Sequence, residues 1–183
     1  MKIPKVKTVN MLKQIDEDEA ERIISEILDY GKSKAILLMI NSPGGDLDPA
    51  IGVQSIISMS KIPVVALNIG TASSCALDIF CTAQHRLSVP SGSFLFHFCY
   101  LTNGPGEIDV NDVKNFSETL IEGTKKPFNF YSDRCNKTWR DLSKMTNGDH
   151  RFNSKKAIED WGIVEKIVED CDDIKQYIKD NVL

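Results

Sequence analysis

Three potential nucleophiles stand in a row at Ser73, Ser74 and Cys75, within the stretch IGTASSCALDIF (69–80), where an apolar run gives way to a helical pattern. The first turn of a helix carries unpaired N–H groups at the positive end of the dipole, so a nucleophile whose attack creates negative charge is favoured there. The same place suits a serine that merely caps the helix, and the local sequence leaves both uses open for Ser73 and Ser74. A serine nucleophile needs a base, and His97 in SFLFHFCY sets one imidazole into an apolar segment. A core histidine satisfied by a hydrogen bond would read the same way. His85 and His150 lie in polar segments and read as surface residues. A third feature, INSPGGD (40–46), ends another apolar run with a proline and two glycines. It reads either as a tight turn or as backbone brought close enough to aim its amides at a developing oxyanion.

These residues need strand ends to hold them, and the chain alternates helix and strand patterns accordingly. Residues 16–30 place Ala20, Ile23, Ile24, Ile27 and Leu28 on one helical face behind an acidic first turn, and Gly31 ends the helix. AILLMIN (35–41) and IPVVALNIG (62–70) are short continuous apolar runs, the pattern of strands covered on both faces. Between them AIGVQSIISMS (50–60) has helical spacing, and a helix-compatible stretch runs from Ser73 to about Ala83. RLSVPSGSFLFHFC adds strand character around a turn at Pro90 and Gly92. This order predicts a parallel sheet with crossover helices. Beyond Cys99 come the Gly- and Pro-rich loop LTNGPGEIDVND and a long helix from about Val110 to Ser132, which Pro127 should kink or divide. A polar link over 136–154, a helix at SKKAIEDWG, a strand at IVEKIVE and a capping helix at DDIKQYIKDNVL complete the chain.

The 183 residues fit a single domain, with no internal repeat and no long linker. A net charge of −4 offers no basic footprint for nucleic acid, and no apolar run is long enough to span a bilayer. The amino terminus lacks the apolar core of a secretory signal, so a cytoplasmic location is expected. Cys75, Cys81, Cys99, Cys135 and Cys171 are odd in number and scattered, which argues for reduced thiols over disulfides or a zinc site.

Taken together, INSPGG, GTASSCA and FLFHF, in this order and spacing, closely resemble the Clp protease proteolytic subunit (ClpP) family. FNSKKAIEDWGIVEKI resembles the same family's trailing segment, and the likeness runs from about Val9 to Glu169. The resemblance implies a ClpP/crotonase-like α/β fold of repeated β-β-α and βα units, with a parallel sheet and a protruding handle over about 101–132. It implies a serine endopeptidase acting on peptides or unfolded proteins without a cofactor or metal. The family's nucleophile falls on Ser74 and its base on His97, while its oxyanion amides fall on Gly45 and Cys75. The family's triad aspartate position is occupied here by His150, with Asp149 one residue earlier. Asp149 is the expected acid, by a one-residue shift of the NGDH loop; otherwise the histidine is held some other way.

The resemblance also implies a homo-oligomeric ring, heptameric or stacked through the handle, with Val113, Phe116, Leu120 and Ile121 available for subunit contact. Leu37 and Met39 replace the aromatic residues that help dock a hexameric Clp ATPase, and the chain starts almost at its first strand. Usual ATPase docking is therefore not expected. Two other readings stand beside the peptidase. One is a crotonase-type acyl-CoA enzyme, which shares the fold and the two-amide oxyanion hole but needs no serine. The other is a catalytically impaired scaffold subunit.

Overall fold

The computed structural model describes residues 3–99, 110–145 and 148–183. The loop 101–109, which opens the expected handle, lies outside the described residues. The main sheet has the order β1-β2-β3-β4-β7, built from β1 (Val6–Met11), β2 (Ala35–Ser42), β3 (Val64–Ser73), β4 (His85–Ser88) and β7 (Lys166–Ile167), with every pairing parallel. Helices α1 (Glu17–Leu28), α2 (Leu47–Met59) and α3 (Cys75–Thr82) make the crossovers.

The continuous apolar runs have the expected cause. Along β2, Ile36, Leu38 and Ile40 enter the large core beneath α1, α2 and α3, while Leu37 enters a second core on the opposite face. Val64 and Ala66 of β3 join the first core, and Val65 and Leu67 the second. α7 (Cys171–Asn181) covers that second face with Ile174 and Ile178. Both faces are thus buried, and a strand in such a sheet needs apolar residues at every position. Asp16 and Asp170 cap α1 and α7, each accepting from backbone N–H groups of the first turn.

β3 runs three residues past Gly70, where the sequence pattern ends the strand. Its first part pairs with β4, whereas Thr71, Ala72 and Ser73 pair with β5 (Ser93–Phe96). Asn68 fills the fork: its side chain donates to the Ser93 carbonyl and accepts from Gly70 N–H. β5 in turn pairs antiparallel with β6 (His150–Asn153). β6 and the short α5 (Trp139–Leu142) fall where the sequence reads only as a polar link. β6 is held from outside itself. Phe152 stacks on Phe94 and on Trp161, and Ser154 hydrogen-bonds Ser88, Val89 and Gly92.

α4 (Val110–Phe128) is shorter than the expected 110–132 helix, and Pro127 falls in its last turn, where it ends the helix and does not kink it. α6 (Ser154–Glu159) forms as expected, but only Lys166 and Ile167 of IVEKIVE pair as strand. His85 and His150 are half-buried, contrary to a surface reading. The His85 ring meets Tyr177 and Glu165, and the His150 ring packs beside Phe96.

Candidate active site

Ser74 occupies the elbow between β3 and α3 with φ 55° and ψ −132°, a conformation that L-residues with side chains rarely adopt. Such a conformation costs on the order of 1–3 kcal/mol and persists only where the surroundings enforce it. Here Ser74 N–H donates to the Leu95 carbonyl at 2.9 Å, and Leu77 N–H returns to the Ser74 carbonyl at 2.9 Å. The Ser74 hydroxyl makes no capping hydrogen bond to α3, so capping does not account for it. Ser73 is different. It is buried as the last residue of β3, and its hydroxyl lies 2.8 Å from that of Thr71.

Cys75 is also buried, and burial pushes its thiol up to about 12, with the nearby Asp78 carboxylate adding to the effect. The thiol is therefore protonated near neutral pH and is a poor nucleophile. Its backbone N–H, at the first position of α3, is one of the helix's unpaired donors.

The glycine turn is pressed against this elbow. A Cβ on Gly44 would lie 2.7 Å from Ser74 Cβ and 2.6 Å from the Ser73 carbonyl oxygen. At Gly45 it would lie 2.1 Å from the Ile15 carbonyl oxygen. Only glycine fits at either position. Ile15 fixes the turn from the other side, donating to the Gly44 carbonyl and accepting from Asp46 N–H. The Gly45 N–H is directed at the Cys75 thiol, on the elbow's side of the turn.

His97 follows β5 directly and reaches the same cavity, a space of about 280 Å³ lined by Ser74, Cys75, Gly45 and His97 together with α4 residues. Its Nδ1 lies 2.7 Å from the Phe98 carbonyl oxygen. A carbonyl only accepts, so Nδ1 carries the proton in this contact and a neutral ring keeps its basic lone pair on Nε2. Ser74 and His97 both line this cavity.

Asp149 does not line this cavity. Its exposed carboxylate lies 3.2 Å from Arg151. Extending the pairing of Phe96 with His150 by one residue nevertheless sets Asp149 across from His97. The structure therefore brings Ser74, Cys75, Gly45 and His97 together at one cavity and does not bring Asp149 to it, its carboxylate being engaged by Arg151.

Sequence reasoning passed over Asp78. It stands one turn into α3, with Asp78 N–H bonded to the Ser74 carbonyl at 3.4 Å, and it lines the cavity. Tyr131 donates to its Oδ1 at 2.7 Å, yet desolvation pushes the acid up to about 7. The signal was an acid in the otherwise apolar ALDIF, four residues after Ser74.

Comparison with known proteins agrees with this architecture. The Clp protease family model matches residues 2–171. The chain is 25% identical to an ATP-dependent Clp protease proteolytic subunit of Oltmannsiellopsis viridis over 86% of its own length and 81% of the relative's. It is 24% identical to ATP-dependent Clp protease proteolytic subunit 2 of Treponema denticola, over 89% and 82% of the two chains. The fold matches a ClpP1 point mutant from Listeria monocytogenes with a TM-score of 0.78 and 22% identity, covering 92% of this chain and 95% of that one. Family model, sequence relatives and fold thus agree: the chain belongs to the Clp protease family and is a serine peptidase.

Proposed function

We propose that the chain is an endopeptidase that cuts peptides or unfolded proteins with Ser74 as nucleophile, His97 as general base and Asp149 as the acid that orients His97. The observation that carries this reading is the strained Ser74 elbow, free of any capping duty and facing the same cavity as His97. In the reaction His97 Nε2 takes the Ser74 proton as Oγ attacks the peptide carbonyl. The Gly45 and Cys75 N–H groups receive the negative charge that moves onto the carbonyl oxygen. Collapse of that intermediate breaks the C–N bond, and His97 passes its proton to the departing amine. Water, deprotonated by His97, then hydrolyses the acyl-serine and restores both groups. No step needs a cofactor.

The Phe98 carbonyl holds His97 in the required tautomer, and the β5–β6 register supports Asp149 as the residue that takes over Nδ1 when the Arg151 contact opens. The whole chain acts as one domain, assembled into a homo-oligomeric ring through α4, where Val113 and Ile121 are exposed. Leu37 is buried and Met39 half-buried under α7, which supports the expectation that docking to a Clp-type ATPase does not follow the usual mode.

A fluorophosphonate probe tests the reading. Mass spectrometry is expected to find the label on Ser74, Ser74→Ala to abolish it, and Ser73→Ala to leave most of it in place. Absence of label on a folded, assembled protein, or label retained in Ser74→Ala, overturns the assignment.

A further inference from the structure

Asp78 has no place in the reaction just described, yet it stands in the wall of the cavity that adjoins Ser74. The two residues lie on the same side of α3, about one helical turn apart, or roughly 6 Å of rise. Leu120, Gly123, Thr124 and Pro127 of α4 and Phe96 of β5 give the cavity walls that are apolar or uncharged, and Asp46, just before α2, is its other carboxylate. An acid in such a wall is costly unless it meets a partner. Tyr131 satisfies Oδ1 alone, and among the described residues no lysine, arginine or histidine pairs with the carboxylate. The group is also rigidly presented. Gln54 of α2 donates to the Asp78 carbonyl at 3.2 Å, to Thr82 at 2.8 Å and to the Pro127 carbonyl at 3.3 Å, clamping α3 to the end of α4.

A cavity of about 280 Å³ beside Ser74 has room for the side chain that precedes the scissile bond. Its apolar walls suit a methylene stem, and Asp78, with Asp46 also in the lining, suits a cation at the end of that stem. We infer that Asp78 determines the specificity of cleavage, selecting peptides with lysine or arginine immediately before the bond that is cut. The inference rests on Ser74 being the nucleophile and adds the substrate class.

Asp46 shares the cavity with Asp78, and the other titratable groups packed around Asp78 add no negative charge near neutral pH. Cys75 and Cys81 on the same helix, Cys99 after β5 and Tyr131 after α4 are all held in their neutral forms by burial. His97 lines the cavity but serves every substrate alike. The acid ionises around pH 7, so preference for a cationic side chain is expected to grow as pH rises from 6 to 8.

The test uses the full-length assembled protein and fluorogenic peptides that differ only in lysine, arginine, norleucine or leucine before the scissile bond. Lysine over norleucine is the decisive ratio, because the two differ by the ammonium group alone. Wild type is expected to favour lysine by on the order of 10²-fold in kcat/KM. That ratio should fall below about 5-fold in Asp78→Asn, which keeps an acceptor for Tyr131, and should invert in Asp78→Leu. The ratio, unlike the rate, cancels any general loss of activity in the variants, and the wild-type ratio stands even where a variant fails to fold. A wild-type enzyme that cuts norleucine or leucine peptides as well as lysine ones overturns the inference and leaves the peptidase standing, as does a ratio unmoved in Asp78→Asn. Absence of both peptide cleavage and fluorophosphonate label overturns the peptidase reading and this inference with it.

Discussion

In the proposed reaction two neighbouring residues, Ser74 and Cys75, divide the work between a side chain and a backbone. Desolvation keeps the Cys75 thiol protonated, while the left-handed backbone at Ser74 turns its hydroxyl away from the helix N–H groups that would otherwise hold it. His97 is oriented by the Phe98 carbonyl, a weaker partner than a carboxylate because it lends no charge to the imidazolium that forms during attack. If Asp149 takes over that contact, Asp149→Asn is expected to lower kcat by about 10²- to 10⁴-fold with little change in KM. A loss smaller than about 5-fold would return the orienting role to Phe98 alone. At this scale much was legible in the sequence, since Ser74, His97 and the glycines sit in motifs whose family resemblance implies their meeting. Asp78 was not, because its importance comes from Tyr131, Gln54 and α4, groups that only the fold brings around it.

Among the elements, the 42–46 turn, the β3–α3 elbow and the end of β5 form a three-way junction. Each constrains the next: Ile15 fixes the glycines, Gly44 fits against Ser74, and Leu95 binds Ser74 N–H. Gly45→Ala is expected to lower stability by about 2 kcal/mol or more in urea denaturation, because the added methyl meets backbone that has no room to withdraw. Even the fraction that still folds should label poorly, since the displaced amide no longer faces the cavity. Helices and central strands were readable from period and capping: α1 ends one or two residues inside its expected span, and β2 differs by one. β6 was not readable. Its four residues HRFN carry little strand signal of their own, and its pairing with β5 depends on Phe94, Trp161 and Ser154 from elsewhere in the chain. The extension of β3 past Gly70 likewise comes from the second partner strand, which no local pattern announces.

At the scale of the whole molecule, the sheet and its two cores account for the fold, and among the described residues α4 carries two exposed large hydrophobic side chains where α1 and α2 carry one each. Val113 is 59% exposed and Ile121 46%, well above what a helix facing only the core would leave uncovered. A chain assembled through this helix should sediment as a large complex, and Val113→Asp with Ile121→Asp should reduce it to smaller species at the same concentration. Retention of the full mass by the double variant would move the contact to another face. The exposed Met59 and Leu28, at the carboxyl ends of α2 and α1, are the next candidates.

The strained serine has a consequence for the chain's own safety. Residues 44, 74 and 95 are far apart in sequence, and the Ser74 conformation exists only while all three regions are in place. An unfolded copy of this chain is the kind of polypeptide the proposed endopeptidase would consume, but it would hold no poised Ser74, because nothing in it sustains the backbone geometry. Each copy therefore passes from prey to predator only on completing its fold, and one that later unravels is disarmed at the moment it becomes digestible.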